Sequence, residues 1–285
     1  MRVYNRETKE IIEEKEYQKE LLEFLYNTIL GRILLKLWVS RPIFSKIKGY
    51  YRKSEDSKKA IKPFIDKYDI DLQGQDYTKF NSFNEFFIRR KKFEFEKSSG
   101  VLISPADAKL TVYKITNDLR FDIKQSNYNV FEIIEDENLS EQYKNGYCFV
   151  FRLAVSDYHR YIYIDSGKLV SIKKIKGLLH TVRPISNKYR VFCRNSREVS
   201  LLRTDNLGDI VQVEVGALLV GCIRNNKKDI FEKGEEKGYF EYGGSTIILL
   251  LKDNIEIDKD ILDYNSKGIE VKVNIGEKIG IVKEN

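Results

Sequence analysis

Residues 238–253 read GYFEYGGSTIILLLKD: an aromatic run closing at Tyr242, a Gly-Gly pair at 243 and 244, then Ser245, Thr246 and five aliphatic residues in a row. A short aliphatic run bounded by glycine on one side and Lys252-Asp253 on the other predicts a strand. Its lack of polar alternation predicts burial on both faces. The paired glycines permit a bend that a side chain would resist, which puts Ser245 at the mouth of a hydrophobic strand behind a pliable corner.

Working outward, the same punctuation recurs. VLISPADAKLTVYKI (101–115), YCFVFRLAVS (147–156), HRYIYIDSG (159–167), KLVSIKKIKG (168–177), LLRTDNLGDIVQVEVGALLVGCIR (201–224) and IEVKVNIGEKIGIVK (269–283) are β-branched and aromatic runs divided by Gly, Asp-Ser-Gly or Asn. Only NVFEIIEDENLSEQYKN (129–145) reads as an embedded helix. Upstream the period lengthens to four: Leu21, Leu25, Ile29, Ile33 and Leu37 predict helix over 7–39, followed by a second helical stretch over 58–68 broken by Pro63. The expected fold is α+β, with N-terminal helices over 1–95 and a mainly antiparallel β catalytic or binding body with one embedded helix over 96–285.

Composition narrows the chemistry. The 285 residues are 42% hydrophobic and 33% charged, which suits one large or two modest domains with a real core and argues against general disorder. Fifty basic against 43 acidic residues give +7 and favour an anionic partner. Cys148, Cys193 and Cys222 are odd in number and dispersed, with no CxxC, so neither a disulfide framework nor a thiolate zinc site is expected, and no metal. No HExxH, GxxxxGK[ST] or GxGxxG occurs, which argues against a zincin, a P-loop NTPase and a dinucleotide fold. The start, MRVYNRETKEIIEEKE, is too charged for a signal peptide.

The apolar run over 21–39 is interrupted by Glu23, Arg32 and Lys36, each costly at a bilayer centre. An amphipathic segment carrying Trp38, Phe44, Tyr50 and Tyr51 fits packing on the next domain. A compatible reading is an anionic leaflet, where each basic residue adds about 1 kcal/mol. Basic residues among aromatics also suit nucleic acid, but no RRM, OB or helix-turn-helix pattern accompanies them, so no nucleic-acid partner is expected.

The chain holds two histidines, His159 and His180. Asp107 follows a proline-fixed extended segment in SPAD (104–107), His159 opens a strand in DYHR (157–160), and His180 lies in GLLHTVRPI (177–185). Taken singly, each is a turn, a cap or a core residue. Their order is what carries information. FNSFNEFFIRRKK (80–92), SPADAK, DYHRY, the run from VFCRNSR to VGCI (191–223) and KGEEKGYFEYGGST (233–246) together resemble the phosphatidylserine decarboxylase family over most of the chain.

The resemblance implies an enzyme that makes its own covalent pyruvoyl cofactor. Ser245 attacks the Gly244 carbonyl, an N-to-O acyl shift gives an ester, and β-elimination then yields fragments 1–244 and 245–285, which stay together as a heterodimer. The pyruvoyl group left at position 245 forms a Schiff base with phosphatidylserine in an anionic membrane, and CO2 leaves to give phosphatidylethanolamine. Asp107 and Ser245 match the family's Asp-His-Ser relay residue by residue. The family commonly shows YHRxH, and here Ile162 takes the second histidine's place, so His159 and His180 divide the base for self-cleavage and the proton donor for decarboxylation, with the assignment open. Arg160 and Arg183 are candidate partners for the substrate's phosphate or carboxylate. Ala108 stands where the family commonly has glycine, and residue 108 is expected to lack a positive φ.

The implied location is the cell membrane, peripheral on its cytoplasmic face, with homodimer formation open. The alternative is a family-like lipid-binding or scaffold protein that does not process itself. A Ser-His-Asp hydrolase is weakened by the lack of G-x-S-x-G.

Overall fold

The run STIILLL is the pivot of the fold. In the computed structural model, which describes residues 1–14, 18–123, 126–218, 222–243 and 245–283, all seven of its residues are buried. Among the described residues the strands are β1 Arg2–Asn5, β2 Glu10–Glu13, β3 Val101–Ile103, β4 Ala108–Lys114, β5 Arg120–Ile123, β6 Ser126–Asn129, β7 Tyr147–Leu153, β8 Arg160–Ile162, β9 Gly167–Ile175, β10 Arg197–Thr204, β11 Asp209–Val215, β12 Ile223–Asn225, β13 Ile230–Phe231, β14 Glu236–Phe240, β15 Ser245–Leu251, β16 Ile255–Ile257, β17 Glu270–Val273 and β18 Lys278–Val282. Ten form one sheet in the order β13-β9-β10-β11-β15-β7-β4-β17-β1-β2, antiparallel except where β1 meets β17. Small sheets β12-β14-β8 and β16-β18-β3 pack beside it.

Strand β15 lies between β11 and β7, so its alternate side chains enter two different cores. Ile247, Leu249 and Leu251 join Phe149 and Phe151 on one face, and Ile248 and Leu250 join Val150, Val211 and Val213 on the other. A strand covered on both faces has no use for polar alternation, which is the pattern the sequence carries.

The helices are α1 Lys19–Asn27, α2 Ile29–Leu34, α3 Pro42–Lys53, α4 Ile61–Tyr68, α5 Phe83–Phe87, α6 Val130–Ile134, α7 Glu137–Glu141, α8 Val191–Arg194 and α9 Lys259–Ser266, with a π-helical turn at Leu35–Val39 and a 3₁₀ turn at Glu55–Ala60. Thr28 divides α1 from α2: its hydroxyl accepts the Gly31 N–H at 3.0 Å and donates to Phe24 O at 2.8 Å. Gly31 is required at this elbow, because a Cβ there would lie 2.0 Å from the Phe24 carbonyl oxygen. Among the described residues no helix is long and apolar enough to cross a membrane. Yet Ile29, Leu30, Leu37, Trp38, Ile43, Ile47 and Tyr50 are all more than half exposed.

Helix does not begin at residue 7. The segment forms the β1–β2 hairpin instead, because Val3 and Tyr4 find a buried place beside β17, where Tyr4 stacks on Tyr264 with ring centroids 3.7 Å apart. Arg6 then anchors the turn with Asp258, Asp260 and Glu277 at 2.7–2.9 Å. Pro63 does not break its helix, since it lies in the first turn of α4 where the missing N–H had no intrahelical partner. The stretch 129–145 is two short helices: Asn129 caps α6, Glu135 ends it at φ 52°, and Asp136 caps α7 afresh. Helices α8 and α9 were not anticipated; each is short and, in α9, only Ile261 is buried. Ala108 opens β4, almost fully buried, and is not among the residues with positive φ.

Leu249→Ala empties space at the centre of the sheet and is expected to cost about 2–5 kcal/mol. A urea unfolding curve checks it through the fall in midpoint.

Candidate active site

Two chain segments converge here because the small sheet ties them together. β7 ends at Leu153, a turn follows, and His159 leads into β8; β14 ends at Phe240, and Tyr242 and Gly243 lead into β15. β8 and β14 pair, and Phe240 N–H donates to His159 O at 2.9 Å, so the histidine backbone is fixed to the strand that delivers the serine. Gly243 has φ 132°, a conformation that favours glycine at this corner. Gly244, the expected acyl side of the cut, lies outside the described residues.

Ser245 is fully buried, and its hydroxyl lies 3.4 Å from His159 Nδ1. His159 Nε2 is 2.9 Å from the Ala154 carbonyl oxygen. A carbonyl only accepts, so Nε2 carries the proton and Nδ1 presents its lone pair to the serine hydroxyl. Phe87 of α5 stacks on the ring with centroids 4.2 Å apart. Burial pushes this imidazole down to about 3. A hydroxyl facing an imidazole lone pair is the arrangement that a nucleophile and its base require.

Asp107 takes other partners. Its carboxylate pairs with the Lys91 ammonium and accepts the Ile275 N–H at 2.8 Å; among the described residues no hydrogen bond joins it to His159. An ammonium is a stronger partner for a carboxylate than a neutral ring N–H. The Lys91 backbone N–H in turn donates to the Tyr158 hydroxyl at 3.3 Å, so Asp107 braces the segment beside His159 rather than touching the ring.

His180 sits in a separate aromatic nest. The Tyr26 hydroxyl accepts the Thr181 N–H at 3.0 Å and stands 3.3 Å from His180 Nδ1, and Tyr189 stacks on the ring at 4.7 Å. The phenol thus holds both the Thr181 backbone and the imidazole edge of His180 in place. Burial pushes His180 down to about 4. Asn195 holds the neighbourhood by accepting the His180 N–H and donating to the His180 and Gly216 carbonyls at 2.7–3.0 Å. Next to this nest, Leu22, Val155, Thr181, Val182, Arg183, Leu218, Tyr242 and Gly243 line a cavity of about 50 Å³.

Ile162, in the place of the family's second histidine, is a core residue 2% exposed. Arg160 is committed to Glu236 at 2.8 Å and to the Ile88 carbonyl at 2.7 Å, and Arg183 is among the residues that line the cavity. The sequence reading missed Phe87, Tyr26, Asn195 and the turn at 154–157, although Asp157 stood in the DYHR run two positions from the histidine. Among the described residues no group of three or more His, Cys, Asp or Glu could hold a metal ion.

Both buried imidazoles resist protonation, against an ordinary value of 6.5. An unfolded chain takes up a proton on each as pH drops through 6.5, and the folded chain does not until about 4. The contribution of these two histidines to stability is therefore expected to decline from pH 7 to pH 5. Urea midpoints at the two pH values check this, and His180→Asn is expected to shrink the difference.

A sequence profile of phosphatidylserine decarboxylase matches residues 80–281. The chain is similar to phosphatidylserine decarboxylase proenzyme 2 of Clostridium acetobutylicum, 52% identical over 283 residues that span 98% of this chain and 97% of that protein. It is also similar to the phosphatidylserine decarboxylase proenzyme of Clostridium perfringens strain SM101, at 40% identity over 98% of this chain and 99% of the relative. The corresponding proenzyme of Ruminiclostridium cellulolyticum is 40% identical, over 98% of this chain and 97% of the relative. Matched over nearly its whole length, and with the serine of its GGST run set against a buried histidine, the chain belongs to the phosphatidylserine decarboxylase family.

Proposed function

We propose that the chain is a proenzyme that cuts itself between Gly244 and Ser245 and then decarboxylates phosphatidylserine with a pyruvoyl group made from Ser245. The observation that carries this reading is the 3.4 Å approach of Ser245 Oγ to the unprotonated Nδ1 of His159 at the head of a fully buried strand. In the processing step Ser245 Oγ bonds to the Gly244 carbonyl carbon while His159 moves the hydroxyl proton toward the departing Ser245 nitrogen. Loss of the Ser245 Cα proton then breaks the Cβ–Oγ bond, freeing Gly244 as a carboxylate and leaving dehydroalanine; water converts that residue to pyruvoyl with release of ammonia.

The residues present suit that group: position 245 is held rigidly in the sheet, beside an imidazole, close to an apolar cavity. A pyruvoyl group supplies an electrophilic carbonyl conjugated to an amide, an electron sink for loss of CO2. The cavity's apolar wall, from Leu22, Val155, Val182 and Leu218, excludes water from the substrate carboxylate, and Arg183 offers a cation to the lipid phosphate. Asp107 supports the site by fixing Lys91 against Tyr158. His159 serves processing, and His180 is assigned to turnover. Fragments 1–244 and 245–285 remain together through the sheet.

The helices over 19–53 dock the protein on an anionic membrane face that also contains the substrate. Between Glu23 and Glu55 the chain has seven basic and no acidic residues, and the same stretch holds the exposed Ile29, Trp38, Ile43 and Ile47.

Intact mass after expression is expected to show two fragments, the smaller beginning at a blocked residue 245. Ser245→Ala and His159→Ala are expected to remain single chains, and His180→Ala to cleave but release little CO2. A wild-type chain that stays whole in active membranes would overturn the reading. On vesicles containing an anionic lipid, Trp38→Glu with Ile43→Glu is expected to weaken sedimentation about tenfold or more, with cleavage unchanged.

A further inference from the structure

The position that a relay carboxylate would occupy, against the outer nitrogen of the catalytic imidazole, belongs to the backbone carbonyl of Ala154. One residue controls that carbonyl from both sides. Asp157 N–H donates to Ala154 O at 3.0 Å, and the Asp157 carboxylate accepts the Ala154 N–H at 2.7 Å, so the turn is closed at both of its peptide units. The carboxylate is held in turn by Lys109 of β4, whose ammonium lies 2.6 and 2.7 Å from its two oxygens and 3.4 Å from Glu14. Lys109 is itself opposite Arg152 in the β4–β7 register, which sets the cation inside the large sheet.

We propose that Asp157 is a positioning residue for His159, acting through the Ala154 carbonyl and clamped by Lys109. This rests on the reading of His159 as the processing base. The arrangement differs chemically from a carboxylate placed on the ring. A carboxylate against Nε2–H would orient the imidazole and also draw it toward the charged form. A carbonyl orients it with little pull, and the charge of Asp157 is met by Lys109 one step away. The ring is aimed and stays neutral, with its Nδ1 lone pair facing Ser245.

Because the chain has only two histidines, ¹⁵N-histidine NMR resolves the proposal on the full chain. In a Ser245→Ala background that stays uncleaved, His159 is expected as a single Nε2–H tautomer. Adding Asp157→Ala is expected to give mixed tautomers at His159 while the His180 signals do not move. Asp157→Asn, which keeps an acceptor for the Ala154 N–H, is expected to restore the single tautomer. With Ser245 present, Asp157→Ala is expected to slow self-cleavage about 100-fold and Asp157→Asn about tenfold. A single Nε2–H tautomer in Asp157→Ala, or unchanged cleavage, overturns the proposal. So does loss of the His180 signals in both variants, which would assign Asp157 to the fold alone. Failure of the wild-type chain to cleave would sink the processing reading but leave the tautomer result to decide the positioning.

Discussion

One hydrogen bond, from His159 Nε2 to the Ala154 carbonyl, decides which side of the imidazole is available for chemistry. With that nitrogen committed, the lone pair must lie on Nδ1, and Nδ1 faces Ser245. The surrounding packing serves this contact. Phe87 closes one ring face, and the β14 amide fixes the histidine backbone. Strand β15 holds the serine at the edge of a core where no part of its length reaches solvent. Rigid strands on both sides are a better mount for such a pair than loops would be.

Charges in the interior are kept near the site but off the imidazoles. Arg152 is shared by Glu270 at 2.6 Å and Glu14 at 2.8 Å, and Lys109 by Asp157 and Glu14. A second buried pair, Lys237 with Glu214 at 2.8 Å, joins β14 to β11 and is completed by Ser200 and Asn225. Such pairs add little net stability over an apolar core, but removing one partner strands the other and costs about 3–5 kcal/mol. The Lys237–Glu214 pair ties the small sheet to the large one, and the Lys109–Asp157 pair ties the turn that precedes His159 to β4.

The β body was legible because its strands lie between two cores and their sequences show it. STIILLL could hardly be read otherwise, and the GGST, SPAD and DYHR runs pointed to Ser245, Asp107 and His159. What sequence could not supply was partner choice. Residues 2–13 form strands because Tyr264 and a trio of carboxylates wait for them more than 250 positions away. The partner of Asp107 turned on Lys91, a lysine indistinguishable in the sequence from its many neighbours. Tyr26 and His180, 154 positions apart, meet only when α1 folds over the body. The NSR run, noted for its likeness, proves to be a fastener: Asn195 pins the His180 segment, and Arg197 is buried against the Glu132 and Ile133 carbonyls of α6.

Strand β15 is flanked by β7 and β11, and β17 lies between β4 and β1. The segment beyond residue 244 is therefore woven through the sheet, with neighbours from the earlier part of the chain on either side. A break at that junction leaves two polypeptides whose separation would require dismantling the sheet. Assembly of such a cut molecule would be a one-time event: the topology is written while the chain is continuous, when strand pairing is intramolecular. A severed molecule that unfolds faces a bimolecular search among exposed aliphatic strands, with aggregation as the competing outcome. The working lifetime of a protein cut there would be set by its unfolding rate rather than by its equilibrium stability.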